Sequence, residues 1–153
     1  MTRIPSINSD YVYYCRPQKL WKFEWHVDKA RTKRLTKYSP SREVCERIRD
    51  RAFDCLAVGY SYAVVQFEID VTEAKYRLDS GRCSKIKKVK DGYKIHHAHR
   101  TFKVKKLETA QVLVEKLMRY HKQWGTTSGF QKVYYKTKLD HDYGEKYEKQ
   151  TAS

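Results

Sequence analysis

Ten lysines and arginines lie in residues 82–106, together with three histidines and a single acidic residue, Asp91. Cationic side chains at this density must either be solvated by water or be neutralised by an anion. The phosphates of a nucleic acid form a polyanion that can neutralise them. The stretch, called the basic segment below, therefore predicts a nucleic-acid interface. Its predicted members are Arg82, Lys85, Lys87, Lys88, Lys90, Lys94, His97, His99, Arg100, Lys103, Lys105 and Lys106.

A second basic block lies in residues 16–38, where eight lysines and arginines stand against two acids. Residues 41–81, between the blocks, carry six basic and eight acidic residues. The net charge of +15 is thus concentrated in two segments, which favours a polyanion footprint over simple solubility. This block adds four residues to the predicted interface: Lys29, Arg31, Lys33 and Arg34.

The histidines His96, His97 and His99 raise the alternative of a small nuclease. On a regular strand His97 and His99 share a face, where imidazoles can bind a metal or act as a general base. Nuclease cations are usually held by carboxylates, and the basic segment offers only Asp91. Glycine-rich phosphate loops and nucleophile elbows are also absent from the sequence. We therefore expect no enzymatic activity, no metal, no cofactor and no small-molecule ligand.

The partner that the charge predicts is nucleic acid, with DNA favoured over RNA. An acidic protein surface satisfies the same charge, so the main alternative is a small basic effector or inhibitor module of the viral or mobile-element type. A charged sheet edge that deters aggregation explains part of the pattern without any ligand, although ten charges exceed that need.

The cysteines and the apolar pattern predict where the chain resides. Cys15, Cys45, Cys55 and Cys83 form no CxxC pair, which favours reduced thiols over a zinc site. The sequence contains no long apolar run and does not open with a signal-like segment, so we expect no membrane partner and no secretion. The expected location is the cytoplasm of a bacterium or a virus-infected cell, or the nucleus.

The elements that carry the second basic block, residues 16–38, read as three strands and a helix. Residues 11–15, 20–27 and 34–38 are rich in aromatic and β-branched residues, and Trp21, Phe23 and Trp25 alternate onto one predicted core face. A helix is expected from Ser39 and Pro40 to Gly59, with apolar residues at three- and four-residue spacing.

The second half reads as four strands, a helix and a last strand. Strands are expected at residues 60–69 and 71–78, and the basic segment forms a hairpin that turns at Asp91 and Gly92. Ile95 and Phe102 are out of phase on the second arm, which predicts a bulge or break near residues 97–99. Residues 107–124 predict a helix and residues 130–139 a strand.

The resulting order, β-β-β-α-β-β-β-β-α-β, predicts an α+β fold with mainly antiparallel sheet and two covering helices. Residues 1–139 are expected to form one domain, followed by a polar, mobile tail at 140–153. Because each half ends in a helix that follows basic strands, the domain can also be divided into two similar halves, residues 10–58 and 59–139.

Overall fold

A computed structural model describes residues 11–77 and 85–142, in the order β-β-β-α-α-β-β-β-α-α. The elements are β1 (Val12–Cys15), β2 (Leu20–His26), β3 (Arg34–Ser39), α1 (Arg42–Val58), α2 (Tyr62–Tyr76), β4 (Ile86–Val89), β5 (Gly92–His97), β6 (Arg100–Val104), α3 (Leu107–Trp124) and α4 (Phe130–His141). The strands form two antiparallel three-stranded sheets, which confirms the predicted α+β class. None of the four helices in the described ranges is long and apolar enough to cross a membrane.

The chain divides into two compact units, Met1–Glu73 (unit 1) and Ala74–Ser153 (unit 2). The division falls within α2, whereas the two halves suggested by the sequence meet between residues 58 and 59. Of the predicted tail, Asp140 and His141 lie in α4, and residues 143–153 lie outside the described residues.

The sheet of unit 1 has the order β1-β2-β3, and α1 covers one of its faces. Phe23 and Trp25 are buried on that face, with ring centroids 5.9 and 5.6 Å from the ring of Phe53 in α1. Leu35, directly opposite Trp25 in β3, is fully buried. Large apolar residues at alternate positions of β2 thus build the core, as the alternation predicts.

The sheet of unit 2 has the order β4-β5-β6, and the predicted hairpin at Asp91 and Gly92 is confirmed. The turn itself is formed by Lys90 and Asp91, because Gly92 already pairs with Val89. Gly92 has a φ of +152°, and a Cβ at this position would fall on the backbone carbonyl oxygen of Val104. Glycine is therefore required here both by conformation and by the close approach of the backbone.

The break predicted near residues 97–99 is a second tight turn. Ala98 and His99 have φ of 50° and 64°, and positive φ at both central residues is the geometry of a type I′ hairpin turn. The chain reverses there, so Ile95 and Phe102 become direct cross-strand partners on the buried face. The phase mismatch in the sequence marks this reversal.

The helix predicted at residues 107–124 is confirmed as α3, whose buried stripe includes Leu113 and Leu117 and which ends at Gly125 with a φ of 66°. Helix α1 begins later than expected, because its N-cap is Ser41 and not Ser39. The Ser41 hydroxyl accepts a hydrogen bond from the backbone N–H of Val44 at 3.4 Å.

Three segments that we predicted as strands are helical: the segments at 60–69 and 71–78 fall largely in α2, and residues 130–139 lie in α4. Leu78, the end of the second segment, lies outside the described residues. Their aromatic and β-branched residues have high strand propensity, but tertiary burial overrides that preference. In α2 the buried residues Val65, Glu68, Ile69 and Thr72 recur at three- and four-residue spacing. In α4, Phe130, Val133, Tyr134 and Thr137 show the same helical period.

The two units repeat one plan of three antiparallel strands, a two-residue link, a helix of 17 or 18 residues and a second helix. The buried residues of the first helices correspond at a constant offset of 65 residues: Val44, Cys45, Ile48 and Ala52 match Thr109, Ala110, Leu113 and Leu117. The last residues of β3 and β6, Ser39 and Val104, are buried and have the same offset. The outer faces of the two sheets can therefore be compared position by position.

Candidate nucleic-acid interface

Three lysines form a row across the outer face of the unit 2 sheet, the face opposite the buried Ile95. Lys94 in β5 lies directly opposite Lys87 in β4 on one side and Lys103 in β6 on the other. Because neighbouring strands are about 4.8 Å apart, the backbone span of this lysine row is about 10 Å. Lys94 and Lys103 are exposed and Lys87 is half-buried.

No acid in the part of the chain that the structure describes neutralises the lysine row. Within residues 11–77 and 85–142, none of its three side chains forms an ion pair. Like charges directly opposite one another destabilise a sheet, and we take the size of this effect to be that of an opposite-charge pair, about 0.2–1 kcal/mol. The row is therefore an arrangement that costs stability in the free protein and that a bound anion would relieve.

His96, the next outward residue of β5, lies in the field of the same lysines. Burial, with Lys87 and Lys94, holds the pKa of His96 below its ordinary value, so the ring is neutral at pH 7. Its Nδ1 lies 3.1 Å from the hydroxyl oxygen of Thr101, its partner across the strands. His96 and Thr101 extend the polar part of this face beyond the row.

The row stands on a packed layer. Ile86, Ile95 and Phe102 lie side by side on the inner face and are at most 5 % exposed. The ring of Tyr134 in α4 packs 4.9 Å from that of Phe102, and its hydroxyl donates a 2.7 Å hydrogen bond to the carbonyl oxygen of Lys103. These contacts fix the strands, so the lysines project from a rigid surface.

His97, a predicted phosphate contact, points to the other side of the sheet. Its ring lies 5.4 Å from that of His121 and 5.6 Å from that of Phe130, and its Nδ1 lies 3.0 Å from Lys85 Nζ. Burial, and then the charge of Lys85, lowers the pKa of His97 to about 4. Both His97 and Lys85 are thus engaged inside unit 2, away from the lysine row.

The two histidines proposed for a nuclease are not brought together on one strand face. His97 ends β5 and turns inward, whereas His99 is exposed in the turn that follows. Across the described ranges, no three His, Cys, Asp or Glu side chains are grouped so that they could hold a metal ion.

Other predicted residues of the sheet lie outside the row. Lys88 is exposed but projects with Ile86 toward the opposite side of edge strand β4. Lys90 lies in the turn at one end of the sheet, and Arg100 follows the turn at the other end. These exposed charges flank the row rather than extend it.

Lys105 and Lys106 lie at the start of α3, where the carboxylate of Asp142 binds their backbone. The two N–H groups donate to Asp142 Oδ2 and Oδ1 at 2.9 and 3.3 Å, and the Thr109 hydroxyl donates at 2.5 Å. Helix N-termini attract anions, and here the chain supplies its own. The exposed side chains of the two lysines remain on the surface, but this helix end is occupied.

The remaining predicted residues belong to unit 1 or are not described. Lys29, Arg31, Lys33 and Arg34 are exposed in and after the β2–β3 loop, which Asp28 organises by accepting hydrogen bonds from the N–H groups of Thr32 and Lys33 at 2.9 and 3.0 Å. Arg82 lies outside the described residues.

Sequence analysis missed the alignment of the lysines, because it depends on strand register. It also missed the matching row of unit 1, Tyr13, Lys22 and Tyr38, which are cross-strand partners on the outer face of that sheet. The sequence did contain a signal for this alignment: the turn before Gly92 and the phase mismatch near residues 97–99 divide the basic segment into three strands and not two.

No family model matches this chain, and no curated protein or solved structure matches it either.

Proposed function

We propose that the protein binds nucleic acid, DNA rather than RNA, through the phosphate backbone and without catalysing a reaction. The observation that carries this proposal is the lysine row, three cross-strand lysines on a rigid sheet face that pair with no acid among the described residues. Such a row is unfavourable until an anion is bound, and a nucleic-acid backbone supplies phosphates at regular spacing.

The dimensions of the row favour B-form DNA. The row spans about 10 Å of backbone, which is close to the width of the major groove of B-form DNA, about 12 Å. The major groove of A-form RNA is deep and narrow and excludes side chains. Phosphate contacts of this kind position a protein on the duplex without reading its sequence.

The positions of the histidines support a binding role over a nuclease. His97 is turned inward with a low pKa, His99 lies in a turn, and His96 is hydrogen-bonded to Thr101. These three rings do not converge on one point of the outer face, where a phosphate on the lysine row would lie.

The test compares two triple variants of the full-length chain that remove the same charge. Lys87, Lys94 and Lys103 are replaced by glutamine in one, and the exposed helix residues Lys116, Lys132 and Lys136 in the other. Binding to fluorescent duplex DNA, single-stranded DNA and duplex RNA is measured by anisotropy over a range of salt. Because each duplex phosphate contact contributes about 0.9 to the slope of log K against log salt, we expect the row variant to lose about 2–3 from that slope.

Equal losses in the two variants would refute the proposal, since they would show that only net charge matters. Unchanged DNA binding by the row variant would refute it as well. If the wild type binds none of the polymers but is retained on an acidic protein in a row-dependent way, the partner is a protein and the nucleic-acid proposal is wrong.

A further inference from the structure

The outer face of unit 1 has a lysine at the position that Lys94 occupies in unit 2. Ser39 pairs with Trp21 and Val104 pairs with Tyr93, so the next residues, Lys22 and Lys94, are equivalent. By the same register Tyr13 corresponds to Lys87 and Tyr38 to Lys103. A row of three lysines in unit 2 is therefore matched by tyrosine, lysine and tyrosine in unit 1.

The lysine of unit 1 already holds an oxyanion, the carboxylate of Glu24. Lys22 Nζ lies 2.5 Å from Glu24 Oε2, and the Tyr13 hydroxyl donates to the same oxygen at 3.2 Å. His26 Nε2 lies 3.4 Å from Oε1. A charged amine, a hydroxyl and an imidazole thus converge on one carboxylate.

Two tyrosine rings hold the amine in place. Lys22 Nζ lies 5.9 Å from the ring centroid of Tyr13 and 5.4 Å from that of Tyr38, within the range of a cation–π interaction. The side chain of Lys22 is only 15 % exposed, so the ammonium is oriented toward the carboxylate before any ligand arrives.

The described residues of unit 2 supply no such internal anion to the lysine row. The residue equivalent to Glu24 is His96, since Glu24 pairs with Thr36 and His96 pairs with Thr101 in the matched strands. An imidazole is either neutral or cationic, so His96 cannot neutralise Lys94. The same position thus carries an acid in one unit and none in the other.

We infer that unit 1 contains a second phosphate-binding site, at the position equivalent to the lysine row, and that the Glu24 carboxylate fills it so that unit 2 alone is open. A phosphate group is the ligand class, because Lys22 and the Tyr13 hydroxyl are donors to an oxyanion and a ring nitrogen of His26 lies beside it. The inference rests on the proposed function where it says that the lysine row of unit 2 is available to phosphate, but the role of Glu24 in unit 1 can be tested separately.

The experiment opens the site by replacing Glu24 in the full-length chain. Glu24→Gln removes the charge, and Glu24→His installs the residue that unit 2 has at this place. Glu43→Gln, on the exposed side of α1, is the charge-matched control. Binding of a short oligothymidylate is measured by anisotropy against salt, and binding of inorganic pyrophosphate by calorimetry, which separates backbone recognition from recognition of a free phosphate.

We expect Glu24→Gln and Glu24→His to bind the oligothymidylate more tightly than Glu43→Gln, with a salt slope steeper by about 0.7 for one added phosphate contact. Adding Lys22→Gln to Glu24→Gln should remove the gain. Glu24→Gln should also bind pyrophosphate in a Lys22-dependent way, and circular dichroism melting identifies any variant that does not fold.

Three results would overturn the inference. The first is a gain in affinity no larger than that of Glu43→Gln, and the second is a gain that survives the loss of Lys22. The third is weaker binding by the single variant Lys22→Gln, in which Glu24 is unchanged. The last would mean that Lys22 already contacts the ligand. If the wild type binds neither the oligothymidylate nor duplex DNA but Glu24→Gln binds the oligothymidylate, the proposed function of unit 2 is wrong while the second site stands.

Discussion

Replacing the central lysine of each outer row with glutamine should change stability in opposite directions. Lys94→Gln should stabilise unit 2, because Lys94 has a like charge directly opposite on both sides and no acid among the described residues to offset it. Lys22→Gln should destabilise unit 1, because Lys22 is paired with Glu24 and enclosed by two rings.

The gain at Lys94 follows from two repulsive cross-strand pairs. At about 0.2–1 kcal/mol per pair, their removal should raise the free energy of unfolding of unit 2 by about 1 kcal/mol at low salt. Lys87 and Lys103 each have one such neighbour in the row, so glutamine at either should give about half of that gain. Screening at 1 M salt, where the Debye length is about 3 Å, should abolish the effect.

The loss at Lys22 combines an ion pair with two cation–π contacts. An exposed ion pair contributes about 0–1 kcal/mol and an exposed cation–π contact about 0.5–1 kcal/mol. With distances of 5.4 and 5.9 Å to the two ring centroids, we expect Lys22→Gln to lower the free energy of unfolding by about 1–2 kcal/mol. Part of this loss should persist at high salt, because the rings contribute through packing as well.

The assay is urea unfolding of the full-length chain followed by amide hydrogen exchange and mass spectrometry, which reports on peptides of each sheet separately. Urea is uncharged, so the ionic strength can be varied independently of the denaturant concentration. Destabilisation by Lys94→Gln at low salt, or equal effects of glutamine at Lys87, Lys94 and Lys103, would refute the reasoning that the row stores repulsion. Stabilisation by Lys22→Gln would refute the account of the Glu24 site.

Two further predictions concern unit 2. His97 has a folded pKa of about 4 against an ordinary value of 6.5, so the unfolded state binds more protons between these values. Stability should be complete above pH 6.5 and fall by about 1–3 kcal/mol as the pH drops toward 4, and His97→Phe should flatten this profile in urea titrations. Gly92→Ala should lower the free energy of unfolding by about 2 kcal/mol or more, whereas Gly59→Ala, with no atom near its Cβ, should cost less in thermal melts.

Local patterns in the sequence were sufficient for the elements whose signals agree with one another. The alternation of Phe23 and Trp25, the turn at Asp91 and Gly92, and the stripe from Ala110 to Leu117 each predicted the element that is found. They failed for α2 and α4, where aromatic and β-branched residues favour strands but the buried positions repeat with the period of a helix. Propensity and periodicity conflicted there, and packing decided between them.

The sequence by itself determined that the chain is basic, that its charge lies in two blocks and that the basic segment turns at Asp91 and Gly92 between β-rich runs. Only the tertiary structure decided which charges lie side by side. Lys87, Lys94 and Lys103 are separated by seven and nine residues, and strand register places them side by side. The reversal at Ala98 and His99 sets β6 against β5, and because a strand alternates its faces at every residue, it decides that Lys103 lies beside Lys94 on the outer face.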